Sequence, residues 1–206
     1  TAVRASSPVK IDGRLAEDVW QTPGYGGFTQ TDPRDGAPAT EETTVWVAYD
    51  RENLYVAARC RDSHPEGIIK LLARRDNQVD SDWLYFGIDP YHDRRSGYYF
   101  AVNPAGSIMG GTLYNDTLTD PTWDGVWESA ARVDADGWTV EMRIPFDQLR
   151  FKKADEYVWG VNFLRMVRRK NEKASFAWVP KSDSAFVSRF ARLEGLRGIS
   201  AGRQVE

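Results

Sequence analysis

Eight tryptophans, several of them beside carboxylates or arginines, are the residues of this chain with the clearest capacity to bind a ligand. The flat face of an indole covers the C–H face of a sugar ring, while nearby aspartate, asparagine and arginine form hydrogen bonds with the sugar hydroxyls. Trp123 is the first candidate, because it lies beside Asp124 at the end of a long polar segment. The competing interpretation is a place in the core, because tryptophan is on average highly buried.

Three other aromatic residues are candidates for the same contact. Trp178 lies near the end of the chain, and Trp83 begins a strand after an acidic stretch, on the predicted polar concave face of a sheet. For both tryptophans, contact with a ligand and burial in the core are alternatives that the sequence leaves open. Tyr114 lies in segment 110–125, which has little periodicity and is predicted to be a long loop. The remaining tryptophans are predicted to be core residues: Trp20, Trp46, Trp127, Trp138 and Trp159.

Polar side chains are predicted to surround these rings on the concave face and to form hydrogen bonds with sugar hydroxyls. They are Arg75, Arg94, Asn103, Glu141, Arg143, Asn162 and Arg165. For Glu141 and Arg143, which alternate with apolar neighbours, a cross-strand salt-bridge ladder is the favoured alternative.

Carboxylates between 76 and 82 are candidates for holding a calcium ion, because calcium prefers oxygen ligands that a loop can bring together. The candidates are Asp76, Asp80 and Asp82, with Asn77 between them. Their spacing does not match an EF-hand loop, so a solvated acidic loop is the competing interpretation. Two histidines and one cysteine leave too few ligands for a typical zinc site.

Catalysis has little support in the sequence. Asp124 and Glu128 form a carboxylate pair of the kind that glycoside hydrolysis uses. With 30 acidic residues in the chain, however, such pairs arise by chance. There is no nucleophile elbow, phosphate-binding loop or HExxH motif. We therefore predict a protein that is not an enzyme.

Composition indicates one folded domain over residues 1–206, since 41% of the residues are hydrophobic and no linker divides the chain. A net charge of -3 argues against nucleic acid as a partner. No apolar run is long enough to cross a membrane, so we expect no membrane contact by this part of the protein. A signal peptide removed before residue 1 is compatible with the sequence.

Alternating apolar residues, separated by turn signals, predict an antiparallel β-sandwich. The predicted strands are 43–62 as a hairpin, 83–89 with 97–103, 127–133 with 137–145, 158–167 and 175–179. Short helical pieces are expected at 15–20, 67–75 and 146–150. The polar, glycine-containing stretch from about 195 onwards is predicted to be a linker to a missing C-terminal region.

Several segments together resemble the family 9 carbohydrate-binding modules. They are IDGRLAEDVW (11–20), VAYDRENLYVAARCRD (47–62), SDWLYFGID (81–89) and GWTVEMRIPFDQL (137–149). Three more resemble the family-9-like N-terminal domain of certain bacterial outer-membrane proteins, in which a β-barrel follows. These are YHDRRSGYYFAVNPAG (91–106), WDGVWE (123–128) and WGVNFLRMVRRKNE (159–172).

The resemblance implies an all-β fold, an immunoglobulin-like or jelly-roll antiparallel β-sandwich with one or two short helices. It also implies export to the periplasm or the outer membrane and a saccharide held by aromatic side chains. No cofactor is expected to be required, and the resemblance is compatible with a structural calcium ion. The expected function is non-catalytic saccharide binding through Trp123, Trp178 and Trp83, with Arg75, Arg94, Asn103, Tyr114 and Asp124 around them. The alternative is a protein-interaction domain that docks on its own C-terminal β-barrel. A narrow cleft would favour the first, and a broad flat patch the second.

Overall fold

A computed structural model describes residues 1–200, which fold into two packed β-sheets. The strands in chain order are β1 (Val3–Arg4), β2 (Thr29–Asp32), β3 (Thr43–Tyr49), β4 (Asn53–Arg61), β5 (Trp83–Asp89), β6 (Gly97–Val102), β7 (Ile108–Tyr114), β8 (Leu118–Asp120), β9 (Glu128–Asp134), β10 (Gly137–Pro145), β11 (Glu156–Val167), β12 (Glu172–Ser175) and β13 (Ala191–Arg197). The helical pieces are single 3-10 turns at Asp18–Gln21, Pro65–Gly67, Phe146–Gln148, Arg168–Lys170 and Val187–Arg189.

The first sheet has five strands in the order β1-β3-β4-β10-β9. The second has eight, in the order β2-β12-β11-β5-β6-β7-β8, with β13 also paired to β11. Neighbouring strands are antiparallel, except that β1 runs parallel to β3. The predicted antiparallel β-sandwich is therefore confirmed. Within residues 1–200, no helix has the length and apolar composition needed to cross a membrane.

The core lies between the inner faces of the two sheets, as the alternating pattern predicts. Leu54, Val56 and Ala58 of β4 are fully buried, and so are Leu84 and Phe86 of β5 on the facing sheet. Burying a side chain such as leucine or phenylalanine contributes roughly 1.5–3 kcal/mol. The outer face of the five-stranded sheet is covered separately by the N-terminal segment, which contributes its own apolar cluster, including Val9, Val19 and Trp20.

The helix expected at 67–75 is wrong, because only Pro65–Gly67 forms a 3-10 turn and residues 68–75 run without regular structure. Hydrogen bonds from residues at the start of β5 and the end of β6 hold this segment extended. Asp82 N–H donates to the Ile69 carbonyl at 2.9 Å, and Asn103 Nδ2 donates to the Leu71 carbonyl at 2.6 Å.

The long loop expected at 110–125 is also wrong, because it contains most of β7 and all of β8. Two adjacent glycines, Gly110 and Gly111, hide the alternation in the sequence. Gly111 is needed where it is, because a Cβ there would lie 2.5 Å from the Tyr99 ring and from the Asp120 carbonyl oxygen.

The linker expected from about 195 is wrong as far as Arg197, because the chain up to that residue belongs to strand β13. Leu193 and Leu196 are both buried against β11, yet they are three residues apart, which disguises the strand. A register shift in the pairing with β11 and the left-handed backbone of Gly195 (φ +92°) accommodate the extra residue. The rest of the predicted linker, 201–206, lies outside the described residues. The strand expected at 175–179 lies earlier, as β12.

Candidate binding groove

A groove of about 330 Å³ lies on the outer face of the second sheet. Its floor consists of side chains from the central strands β5, β6, β7 and β11, and its rim comes from two loops and from β8 and β12. The lining residues are Gln78, Tyr85, Gly87, Tyr99, Met109, Leu113, Thr119, Asn162, Phe163, Leu164, Met166, Lys173 and Phe186. We refer to this set as the groove.

Strand register brings the floor residues together. Tyr85 pairs with Leu164 of β11, and Gly87 lies between Tyr99 of β6 and Asn162 of β11. Since side chains alternate along a strand, Tyr85 points away from the core that Leu84 and Phe86 enter. The Tyr99 ring packs directly over Gly111, because glycine has no side chain that would hold the ring away from the sheet.

One wall of the groove is Phe186, on the loop before β13. Asp116 holds this loop, because its carboxylate accepts the N–H groups of Phe186 at 3.1 Å and Ser188 at 2.8 Å, and the Ser188 hydroxyl at 2.8 Å. These hydrogen bonds outweigh burial and lower the pKa of Asp116. The Phe186 ring packs edge-on against Phe190 at 5.2 Å, and Phe190 in turn covers Gly87.

Two tyrosine hydroxyls in the groove are free to bond a ligand. Tyr85 and Tyr99 are half-buried, and neither hydroxyl has a hydrogen-bond partner among residues 1–200. Burial raises the pKa of Tyr85 to about 12. Burial, together with Asp76 and Asp120, also raises the pKa of Tyr99. Both phenols are therefore protonated at neutral pH and present a donor and an acceptor above an apolar floor.

The groove continues into a second depression of about 220 Å³ along β12 and the loop that follows it. Asn162, Leu164, Lys173 and Phe186 line both spaces. Asn162 was predicted to contact a ligand and does lie in the groove. Its amide, however, donates to the Ala177 carbonyl at 3.0 Å and accepts Ala177 N–H at 2.8 Å, so it fixes the loop after β12.

The tryptophans predicted as ligand contacts lie outside the groove lining. Trp83 does lie on the outer face of the second sheet, but it is 0% exposed there, and its indole N–H donates to the Val79 carbonyl at 3.1 Å. Trp123 packs against the core, with its ring 5.6 Å from Phe100 and 5.2 Å from Tyr98. Neither ring presents an open face above the groove, contrary to expectation.

Trp178 and Tyr114 are accessible but are not groove residues. Trp178 is 36% exposed, lies against Gly36, and donates its indole N–H to Asp35 at 3.1 Å. Tyr114 is exposed at the end of β7, before the turn into β8.

The other predicted contacts have different surroundings from those expected. Asn103 is fully buried and its carboxamide oxygen closes the turn after β6 by accepting Ser107 N–H at 2.8 Å. Arg94 is exposed in the β5–β6 turn, and its backbone N–H donates to the Asp89 carboxylate at 2.8 Å. Arg75 joins Asp124 at 3.6 Å and the Gly125 carbonyl at 2.5 Å, which ties the segment after β8 to the segment before β5.

The polar residues of β10 and the buried arginine of β11 do not form one concave face. Arg143 pairs with Glu128 across β9 and β10 at 2.5 Å, a single cross-strand ion pair in place of the ladder predicted for Glu141 and Arg143. Glu141 instead is buried under the N-terminal segment, where it accepts Trp20 Nε1 at 2.8 Å and Gly13 N–H at 2.6 Å. Arg165 points into the sandwich, toward Asp62 at 3.8 Å.

The three carboxylates predicted to bind calcium are engaged by protein donors, Asp76 by Gly110 and both Asp80 and Asp82 by Arg168. Asp76 accepts Gly110 N–H at 2.9 Å, Asp80 pairs with Arg168, and Asp82 is buried and accepts Arg168 N–H at 3.0 Å. Within residues 1–200, no group of three or more histidine, cysteine, aspartate or glutamate side chains is arranged to hold a metal ion.

Tyr85, Tyr99 and Phe186 are the aromatic residues that the sequence argument missed. The signal for two of them was present. In the runs WLYFGID and GYYFAV, Tyr85 and Tyr99 alternate with the core residues Leu84, Phe86 and Phe100 and so belong to the opposite face. Phe186 lies in a loop with no periodicity, so nothing in its local sequence indicates where it lies.

Fold and groove together define a β-sandwich with an open groove on the outer face of one sheet. Similar folds occur in solved structures of a family 9 carbohydrate-binding module from Caldicellulosiruptor kristjanssonii. Its complex with glucose has a TM-score of 0.65 and 19% identity, over 100% of this chain and 97% of that one. Its complex with cellotriose has a TM-score of 0.64 and 19% identity, over 99% and 94%.

A third similar structure is that of a Bacteroides uniformis protein to which carbohydrate binding is attributed. Its TM-score is 0.73 at 12% identity, over 94% of this chain and 96% of that one. No family model and no curated protein matches the sequence. The similarity to the solved structures shows that the chain has the fold of the family 9 modules.

Proposed function

We propose that this domain binds a saccharide in the groove and does not hydrolyse it. The observation that carries the proposal is the pair Tyr85 and Tyr99, half-buried rings with unpaired hydroxyls on an apolar floor. A pyranose has an apolar C–H face and a rim of hydroxyls, so it matches a flat aromatic floor surrounded by donors and acceptors.

The groove chemistry supports binding rather than hydrolysis. Glycoside hydrolysis uses two carboxyl groups on either side of the scissile bond. Among the described residues that line the 330 Å³ groove there is no aspartate or glutamate. The similarity to a module solved with glucose and with cellotriose supports the same class of ligand.

The shape of the site also favours a saccharide over protein docking. The groove is a concavity of about 330 Å³, within the range of small-molecule sites, and it continues into a second depression. An extended oligosaccharide fits such a channel better than a broad protein surface would.

Calorimetric titration of the wild type and of Tyr99→Ala with a panel of glucose, cellotriose and other oligosaccharides tests this proposal. We expect the variant to bind about tenfold more weakly, which corresponds to ~1.4 kcal/mol, because it loses both the stacking ring and a hydroxyl. Tyr99→Phe keeps the ring and is expected to lose less. Trp178→Ala is the matched control, an exposed aromatic outside the groove. Unchanged binding by Tyr99→Ala together with lost binding by Trp178→Ala would move the site to Trp178.

A further inference from the structure

The charge of the groove narrows the class of saccharide, on the basis of the proposed function. Lys173 is the only charged residue among those that line the groove. It also lines the second depression and a third, smaller one of about 130 Å³ beside Arg168. The lysine thus lies where the three spaces meet.

The position of Lys173 in β12 explains why its side chain lies at the edge of the groove. In β12 it pairs with Met166 of β11 on one side and with Asp32 of β2 on the other. Met166 is a floor residue, so Lys173 lies on the same outer face at the edge of the groove.

The ammonium of Lys173 has no salt-bridge partner among residues 1–200, although carboxylates are close by. The nearest in register, Asp32, is paired with Lys181. Asp183, in the second depression, pairs with Arg189 at 2.6 Å. With these pairs neutralised, Lys173 is the one unpaired charge among the described residues that line the groove and the second depression. The third depression also contains Glu172, which is buried and accepts Thr40 N–H at 2.9 Å and the Thr40 hydroxyl at 2.6 Å.

We propose that the preferred ligand is an acidic saccharide, with a uronic acid carboxylate paired to Lys173 Nζ while its ring lies over the tyrosine floor. Lys173 is exposed, so salt screens its attraction for an anion, and the pairing contributes most at low ionic strength. A neutral sugar would offer Lys173 only a hydroxyl oxygen, so charge complementarity selects for the carboxylate.

The test compares ligands that differ only in charge. Trisaccharides of glucuronic, galacturonic and mannuronic acid and their methyl esters, with cellotriose as a neutral reference, are titrated calorimetrically into the full chain at low and at moderate salt. We expect at least one acid to bind about tenfold more tightly than its ester, with a preference that shrinks as salt screens the charge.

Variants assign the preference to one side chain. Lys173→Gln is expected to remove the acid preference, so that acid and ester bind with similar affinity, whereas Lys173→Arg retains the preference. Lys152→Gln, an exposed lysine outside the groove, is the matched control and retains it as well.

Three results would overturn the inference. They are equal binding of acid and ester, a preference that survives Lys173→Gln, and binding of cellotriose alone. In the last case, the proposed function stands if Tyr99→Ala weakens cellotriose binding. If no saccharide in either panel binds, both the inference and the proposed function fail.

Discussion

At the scale of single residues, the partly exposed rings on the outer face of the second sheet are the tyrosines Tyr85 and Tyr99, not the tryptophans that were expected to bind a ligand. Of the tryptophans predicted as binding residues, Trp83 is buried in a cluster on the outer face of the second sheet and Trp123 packs against the core. Trp178 lies on the loop after β12, beside Asp35. Composition identifies an aromatic-rich chain, but only the face of the strand decides which rings are open. Tyr85 and Tyr99 could have been found from alternation alone, because their neighbours in the sequence fill the core.

Buried charge at one end of the sandwich gives a residue-scale prediction about acid stability. Burial alone would raise the pKa of Glu41, but hydrogen bonds from Lys170, Ser63 and Arg169 outweigh it and lower the pKa to about 2. A carboxyl whose pKa is lowered on folding stabilises the fold above its unfolded pKa, near 4.5, and loses that contribution as the pH falls toward 2.

We therefore expect Glu41→Gln to lower the free energy of unfolding at pH 7 by about 1.5–3 kcal/mol, the usual range for a hydrogen bond to a charged group. The deficit should shrink between pH 4.5 and pH 2, as the wild type loses the same contribution. Urea denaturation across this pH range measures it. Glu66→Gln, at an exposed position with no salt bridge within residues 1–200, is the control. A deficit of the same size at every pH would contradict the assignment.

At the scale of elements, the sequence predicts most of the strands but not most of the loops. The hairpins β3–β4, β5–β6 and β9–β10 and the strand β11 are confirmed, because most of their core-facing positions, at every second residue, are apolar. Strands β7 and β13 were missed for a common reason. Gly110 and Gly111 interrupt the pattern in one, and the register shift near Gly195 shifts it in the other.

The loop that carries Phe186 depends on one carboxylate, and this gives an element-scale prediction. Asp116→Ala removes the acceptor for two backbone N–H groups and one hydroxyl, so the loop should leave its place beside the groove. We expect saccharide affinity to fall by about tenfold, corresponding to ~1.4 kcal/mol, while the domain stays folded. Calorimetric titration measures the affinity, and circular dichroism checks the fold.

A matched control for this variant is Asp93→Ala. Asp93 caps the β5–β6 turn in the same way, by accepting two backbone N–H groups at 2.8 Å and one hydroxyl at 2.6 Å, but it does not line the groove. Asp93→Ala should lower the free energy of unfolding and leave the saccharide affinity unchanged. An equal loss of affinity in both variants would mean that Asp116 acts through overall stability rather than through the position of Phe186.

At the scale of the whole molecule, the sequence predicts the architecture better than the site. Period-two patterns and turn signals are local, so they identify strands and a sandwich without any knowledge of which strands are neighbours. The groove, in contrast, joins residues from β5, β6, β7, β11 and β12, and a single sequence does not specify that pairing order. Export to the periplasm and a structural calcium ion stay predictions from the resemblance.

The most direct test of saccharide binding in the groove is a map of backbone amide NMR shifts during titration with the tightest-binding saccharide of the panel. If the saccharide binds in the groove, the largest changes occur along β5, β6, β7 and β11, around Tyr85, Tyr99 and Leu164, and in the loop that carries Phe186. Changes that cluster instead around Trp178 and Asp35, with the groove strands unaffected, would contradict binding in the groove.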